Sequence, residues 1–203
     1  MKIIQPKLKR AYLETVYWWV DCEHRYHHLF KQDKEIDIKY QNTFYEFTNM
    51  YSVRRNIKGS DNRPVFALLD KLNNLDFVSR TLEGEPNLID EIDETLPGRS
   101  IRSLLSKYAT LINPKAYTMF DGRATAALNA YNKKNRHRKF NNYKDFYCEF
   151  KGSEESLIEQ IKDDDIDYYL ALCTRQGKSI DNDIFKRRLA DKYLWIANTS
   201  RNE

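Results

Sequence analysis

The stretch Leu96–Tyr131, LPGRSIRSLLSKYATLINPKAYTMFDGRATAALNAY, decides how this chain is read. Leu96-Pro97-Gly98 is a tight turn. Leu104, Leu105, Tyr108, Leu111 and Ile112 then recur at the spacing of one helical face. Asn113-Pro114 must end that helix, because the residue before a proline is pushed out of the α region. A short run from Ala116 to Phe120 delivers Asp121 to the start of a second helix, Arg123 to Tyr131. Turn, helix, linker and a carboxylate at a helix N-terminus make this stretch the expected chemical centre.

The flanks are helical as well. Tyr12, Val16, Trp19, Val20, Tyr26 and Phe30 stripe one long helix over residues 8 to 30. Ile36, Ile38 and Tyr40 alternate as in a strand, and Phe44, Phe47, Met50 and Tyr51 then suggest a helix. Lys58-Gly59-Ser60-Asp61 reads as a turn. Asp61 or Asn62 can cap the next helix, with Pro64 in its first turn. That helix carries Val65, Leu68, Leu69, Leu72 and Leu75 and runs to a break at Gly84 and Pro86. Leu88, Ile89 and Ile92 mark one more short helix. Beyond Tyr131, helices are expected from Tyr143 to Ile161, with a possible interruption at Gly152-Ser153, from Ile166 to Arg175, and from Asp181 to near Ala197. The fold class is therefore all-α, as a single helical domain over 1–203 or two small lobes with a cleft near Asp121.

Composition narrows the function. Of 203 residues, 41% are hydrophobic and 32% charged, which excludes a disordered chain and a membrane-spanning one. A basic N-terminus without an apolar core gives no secretion signal, and Cys22, Cys148 and Cys173 form no CxxC, so a cytoplasmic chain with free thiols is expected. The net charge of +4 is mild, but Lys133–Lys139 packs five Lys or Arg into seven residues. On composition alone this run is a solvated loop or a phosphate-binding strip. No GxxxxGK[ST], GxGxxG or GxSxG occurs, so no nucleotide cofactor is implied. His24 and His28 sit at i and i+4 beside Glu23 and His27, but no third ligand has suitable spacing, and no metal is assigned. Tyr17, Trp18 and Trp19 are consecutive on a helix, so at least one must leave the core.

The central stretch resembles the helix-hairpin-helix DNA glycosylase superfamily, whose members carry a hairpin of the form LPGxGxxT, a packed helix and a catalytic Asp beyond it. Leu96-Pro97-Gly98 matches the hairpin opening, and Asp121 falls within about one position of that Asp. Two departures stand out. Ser100 replaces the second hairpin glycine. Arg102 stands nearest the lysine nucleophile of bifunctional members, and an arginine forms no Schiff base. Lys107 is the reserve candidate. Ser106-Lys107-Tyr108, Asn113-Pro114, Phe120-Asp121-Gly122-Arg123 and Lys192-Tyr193-Leu194-Trp195 also resemble a group of prokaryotic proteins with SK-x-LHF-x-NP, D-S-R and YLW segments, which look like divergent relatives of the same enzymes.

The resemblance implies a monofunctional glycosylase that takes a damaged or modified base from double-stranded DNA, in repair or anti-phage defence, with Asp121 as catalytic carboxylate and no cofactor. Gly98, Arg99, Arg102, Arg123, Lys133, Lys134, Arg136 and Arg138 would then hold the DNA backbone. Trp18, Trp19, Tyr26 and His27 would wall the pocket for the extruded base. Asp163 to Asp167 would face away from DNA. A non-catalytic nucleic-acid-binding module of the same fold is the alternative.

Overall fold

A computed structural model describes residues 3–32, 36–54, 57, 61–135, 137–161 and 163–199, without the side chains of 163, 164, 198 and 199. Among these the protein is all-helical, with no strand. The elements are α1 (Gln5–Trp18), a π-helical turn (Trp19–Glu23), α2 (His24–Phe30), α3 (Ile38–Met50), α4 (Arg63–Asn74), α5 (Phe77–Glu83), α6 (Leu88–Thr95), α7 (Arg102–Ile112), α8 (Gly122–Tyr131), α9 (Tyr143–Ile158), α10 (Asp163–Arg175) and α11 (Asn182–Thr199). They form two compact units: Met1–His24 with Met119–Glu203, and Arg25–Thr118. No helix of the described residues is long and apolar enough to cross a membrane.

In the first unit α11 lies against α1, α8 and α9, and α10 lies against α1. Phe185, Leu189, Tyr193 and Leu194 bury the inner face of α11. Tyr12 of α1 stacks on Tyr169 of α10 at 4.4 Å and also meets Phe185. Asp181 starts α11 as expected, its Oδ1 accepting from the N–H groups of Asp183 and Ile184. α9 is continuous through Gly152-Ser153. Ser153 Oγ donates to the Glu149 carbonyl within the helix, and to Asn132 Oδ1. α10 begins three residues earlier than the apolar pattern indicates, at Asp163, because aspartates suit a first turn.

The second unit is built on Tyr108 of α7. Its fully buried ring stacks on Phe77 at 5.3 Å and takes the edges of Phe30 and Phe44 at 5.0 Å each. Its hydroxyl shares a 2.5 Å hydrogen bond with Tyr40. Burial pushes the Tyr40 phenol up to about 12, against the lowering effect of that bond.

Two local expectations change here. The alternation of Ile38 and Tyr40 is not a strand. Asp37 accepts from the Tyr40 N–H at 2.7 Å and caps α3, so Tyr40, Phe44 and Phe47 form a buried helical stripe while Ile38 is exposed. The helix expected to reach Gly84 is two helices, α4 and α5, divided at Asp76 with φ 52°. Aspartate tolerates this left-handed geometry, so the sequence carries no glycine to mark it. Asp61, rather than Asn62, satisfies the start of α4, through Arg63 N–H. The rest of the turn, Lys58-Gly59-Ser60, lies outside the described residues.

Because four aromatic rings pack on Tyr108, Tyr108→Ala is expected to cost about 3–5 kcal/mol. Tyr108→Phe, which removes only the hydroxyl pair, should cost about 1 kcal/mol. Urea unfolding of both variants checks the contrast.

Candidate functional site

The first unit carries a cluster of charged side chains that burial alone would forbid. Arg188, Asp191 and Lys192 lie at i, i+3 and i+4 on α11, hence on one face. Glu23 reaches the same place from the π-helical turn, which inserts one extra residue into the helical run and closes with His24 N–H on the Trp19 carbonyl. Arg188 holds Glu23 with two hydrogen bonds, Nε to Oε2 at 2.9 Å and Nη2 to Oε1 at 2.6 Å. It holds Asp191 with a third, Nη1 to Oδ2 at 2.6 Å. Glu23 is 2% exposed and Arg188 4%. Such charges stay ionised inside a protein only when the pairing geometry is good, and a two-pronged guanidinium–carboxylate contact is the best available.

Lys192 completes the cluster on poorer terms. Its Nζ lies 3.9 Å from Glu23 Oε1 and 4.4 Å from the centre of the Trp18 ring. Burial lowers its pKa below the usual lysine value, opposed by Glu23 and Asp191 and reinforced by Arg188. Burial raises the Asp191 carboxyl, with further raising by Glu23 and Asp121 and lowering by Arg188 and Lys192. Burial, then the Glu23 charge, pushes the neighbouring Cys22 thiol up to about 12, so that cysteine is inert.

Asp121 is within electrostatic reach of this cluster, through Asp191. It occupies the N-cap of α8 in extended backbone, and its Oδ1 accepts from the N–H groups of Arg123 and Ala124 at 2.9 Å each. Gly122 follows in open space, where a Cβ would meet nothing within 4 Å. Arg123 is exposed and spreads over the Trp195 ring at 5.5 Å.

The turn between α6 and α7 belongs to the second unit. Gly98 adopts φ 116°, a value that side chains resist. Ser100, in place of a second glycine, donates its hydroxyl to Asp93 at 2.8 Å, and Asp93 also accepts from Ile101 N–H at 2.6 Å. Arg102 ion-pairs with Asp90 and Asp93, at 2.9 and 3.2 Å. Its charge is thus largely balanced from within α6, whereas Arg99 is exposed. Lys107 is buried, at 8% exposure.

The basic run is partly balanced too. Lys134 and Arg138 both reach Glu149 Oε2, at 2.9 and 2.7 Å, and Arg138 also covers the Phe140 ring. The Glu149 pKa is lowered: burial would raise it, but hydrogen bonds from Arg138, Lys134 and Asn132 prevail. Lys133 and Lys139 are exposed, and Arg136 lies outside the described residues.

The four side chains expected to wall a base pocket divide between the units. Trp18 is half-buried in the first. Trp19 is core there, with Nε1 donating to the Lys178 carbonyl at 2.9 Å. Tyr26 is core in the second unit, stacked on Phe30, and has no ring face for a base. His27, also in the second, places Nδ1 at 2.9 Å from the Leu111 carbonyl, which can only accept, so Nδ1 carries the proton. Tyr17, at 61% exposure, is the member of the aromatic triplet that leaves the core. Glu23, weighed above as a metal ligand, is committed to Arg188. Among the described residues no three His, Cys, Asp or Glu side chains converge so as to hold a metal ion.

No motif in the sequence singles out Arg188 or Asp191, and Lys192 stands out only as the first residue of Lys192-Tyr193-Leu194-Trp195. The available signal was an Arg-x-x-Asp-Lys spacing on an otherwise apolar helix face. No family model, curated protein or solved structure matches the chain.

Arg188→Met strands Glu23 in the interior and is expected to cost about 3–5 kcal/mol. The double variant Glu23→Leu/Arg188→Met should recover most of that loss in a denaturant titration. A separate effect follows from His27. Burial, helped by Lys31 and His28 and opposed by the Leu111 bond, holds its pKa below 6.5. The unfolded chain therefore binds the proton first, and His27 removes stability as pH falls below about 6.5. In thermal melts from pH 7.5 to 5.5, His27→Gln should show a shallower loss than wild type.

Proposed function

We propose that the protein excises a damaged or modified base from double-stranded DNA by hydrolysis of the N-glycosidic bond, with Asp121 as the catalytic carboxylate. The observation that carries this reading is the fixing of the Asp121 carboxylate. Two backbone N–H groups at the head of α8 hold it in one orientation, beside a buried cluster that already includes Asp191. Loss of a base leaves positive charge on the sugar, and a carboxylate held in advance stabilises that charge without reorganising. The α6–turn–α7 unit supports the same reading, because an exposed turn with Gly98 and Arg99 before a helix suits a DNA phosphate. Arg123, Lys133 and Lys139 are further exposed cations for the backbone, whereas Arg102, Lys134 and Arg138 have carboxylate partners to leave first. Trp18 is the half-exposed ring on which an extruded base can stack.

A second reading, a non-catalytic nucleic-acid-binding module, is favoured by one fact: the two capping bonds are by themselves enough reason for an aspartate at 121. Duplexes each bearing one modified base, incubated with the protein and then treated with alkali, separate the readings, since excision yields strand breaks and binding alone does not. Asp121→Asn is the informative variant, because asparagine caps a helix about as well as aspartate. Folding and DNA binding should survive while excision falls by orders of magnitude. A variant that excises at the wild-type rate removes Asp121 from the chemistry.

A further inference from the structure

Lys192 is the group in the cluster that its surroundings satisfy least. An ammonium has three N–H donors. Among the described residues Lys192 has only the Glu23 carboxylate at 3.9 Å, beyond hydrogen-bond range, and the face of Trp18 at 4.4 Å. The reason is competition. Arg188 takes both oxygens of Glu23 and one of Asp191 in direct bonds, so the carboxylates nearest Lys192 are already engaged. Its side chain is 13% exposed, and the Trp18 beside it is only half-buried. A lysine with little water, no close acceptor and a cationic neighbour is poised to give up its proton, and the free amine is a nucleophile toward carbonyl carbon.

We propose that Lys192 is a nucleophilic amine that condenses with an aldehyde to form a Schiff base. The lone pair of Nζ adds to the carbonyl carbon, and the carbonyl π pair moves to oxygen, which takes up the proton that the now cationic nitrogen gives up. The resulting carbinolamine loses one water, its hydroxyl leaving with a second proton while nitrogen supplies the pair for the C=N bond. Amine, aldehyde and one proton thus give a protonated imine and water. Asp191, adjacent on α11 with its carboxyl raised toward the protonated form, is the nearby proton source. The Arg188 and Glu23 charges and the neutral Cys22 thiol complete the electrostatic surroundings of this nitrogen. Resting on the base-excision reading, the aldehyde is the ring-opened sugar that hydrolysis leaves in DNA. A free small aldehyde has the same chemistry and is the other source. Arg102 cannot perform this step and Lys107 is buried on α7, so this assignment places the reactive amine on α11.

The experiment has two arms on the full chain. In the first, wild-type protein is treated with limiting formaldehyde and cyanoborohydride at pH 7, and modified lysines are mapped by peptide mass spectrometry. Lys192 should be modified ahead of the exposed Lys9 and Lys139; equal or slower modification overturns the proposal. In the second, a duplex carrying one preformed abasic site is incubated with the protein and reduced with borohydride. A covalent adduct on Lys192 is expected, lost in Lys192→Arg and Lys192→Met and retained in Lys107→Ala. An adduct mapped to another lysine also overturns the proposal. Fast modification of Lys192 with no adduct to abasic DNA upholds the amine and assigns it a free aldehyde. The base-excision reading stands or falls separately, on release of a base from the modified duplexes.

Discussion

The first unit depends on the pair between Arg188 and Glu23. A carboxylate at 2% exposure cannot remain ionised without a partner of matched shape, and the guanidinium supplies two parallel bonds at 2.9 and 2.6 Å. This requirement fixes more than two side chains. It explains why the helix from Gln5 carries a π-helical turn at Trp19–Glu23, since without the inserted residue Glu23 would point elsewhere. It also explains why Asp191 and Lys192 retain charge-bearing groups at the buried edge of α11. Burial then shifts the remaining members, Asp191 toward its acid form against the opposing charge of Arg188, and Lys192 toward its amine with Arg188 adding to the effect. The chemistry proposed for this unit thus grows out of a problem of burial.

The second unit has a different physical basis. Its interior is aromatic, and rings from α2, α3, α5 and α7 meet around Tyr108 in stacked and edge-on contacts that each add to area burial. The α6–turn–α7 hairpin is held on this core by α7 and internally by Asp93, which binds the turn through Ser100 and Ile101. Ser100 therefore has a structural role in place of the flexibility a glycine would bring. The same Asp93, with Asp90, neutralises Arg102, so a cation that looks available in the sequence has its partners on the preceding helix, α6.

Much was legible in the sequence, and for local reasons. The spacing of Leu104, Leu105, Tyr108, Leu111 and Ile112 determined α7, because a helical apolar face repeats whatever it packs on. Asn113-Pro114 ended it, and Asp121 and Asp181 began α8 and α11, because capping involves residues only two or three apart. The all-helical class followed from these elements. What misled, as at Asp76 and Ile38, was backbone geometry that aspartate and a capped helix tolerate without advertising it.

Tertiary structure alone decided which charges matter. Glu23 and Arg188 are separated by 165 residues, and no spacing rule relates them. In the sequence Glu23 stands among histidines that lack a third ligand at metal spacing, while Lys133 to Lys139 is the sharpest run of positive charge. In the folded protein Glu23 is the ion-pair partner of Arg188, and Lys134 and Arg138 of the basic run share Glu149 of α9. The physical reason is that a charge is defined by its solvation and its nearest opposite charge, and both are set by distant segments. Sequence determines where helices lie and which face is apolar; only packing determines that, among the described residues, Lys192 has no acceptor within hydrogen-bond distance.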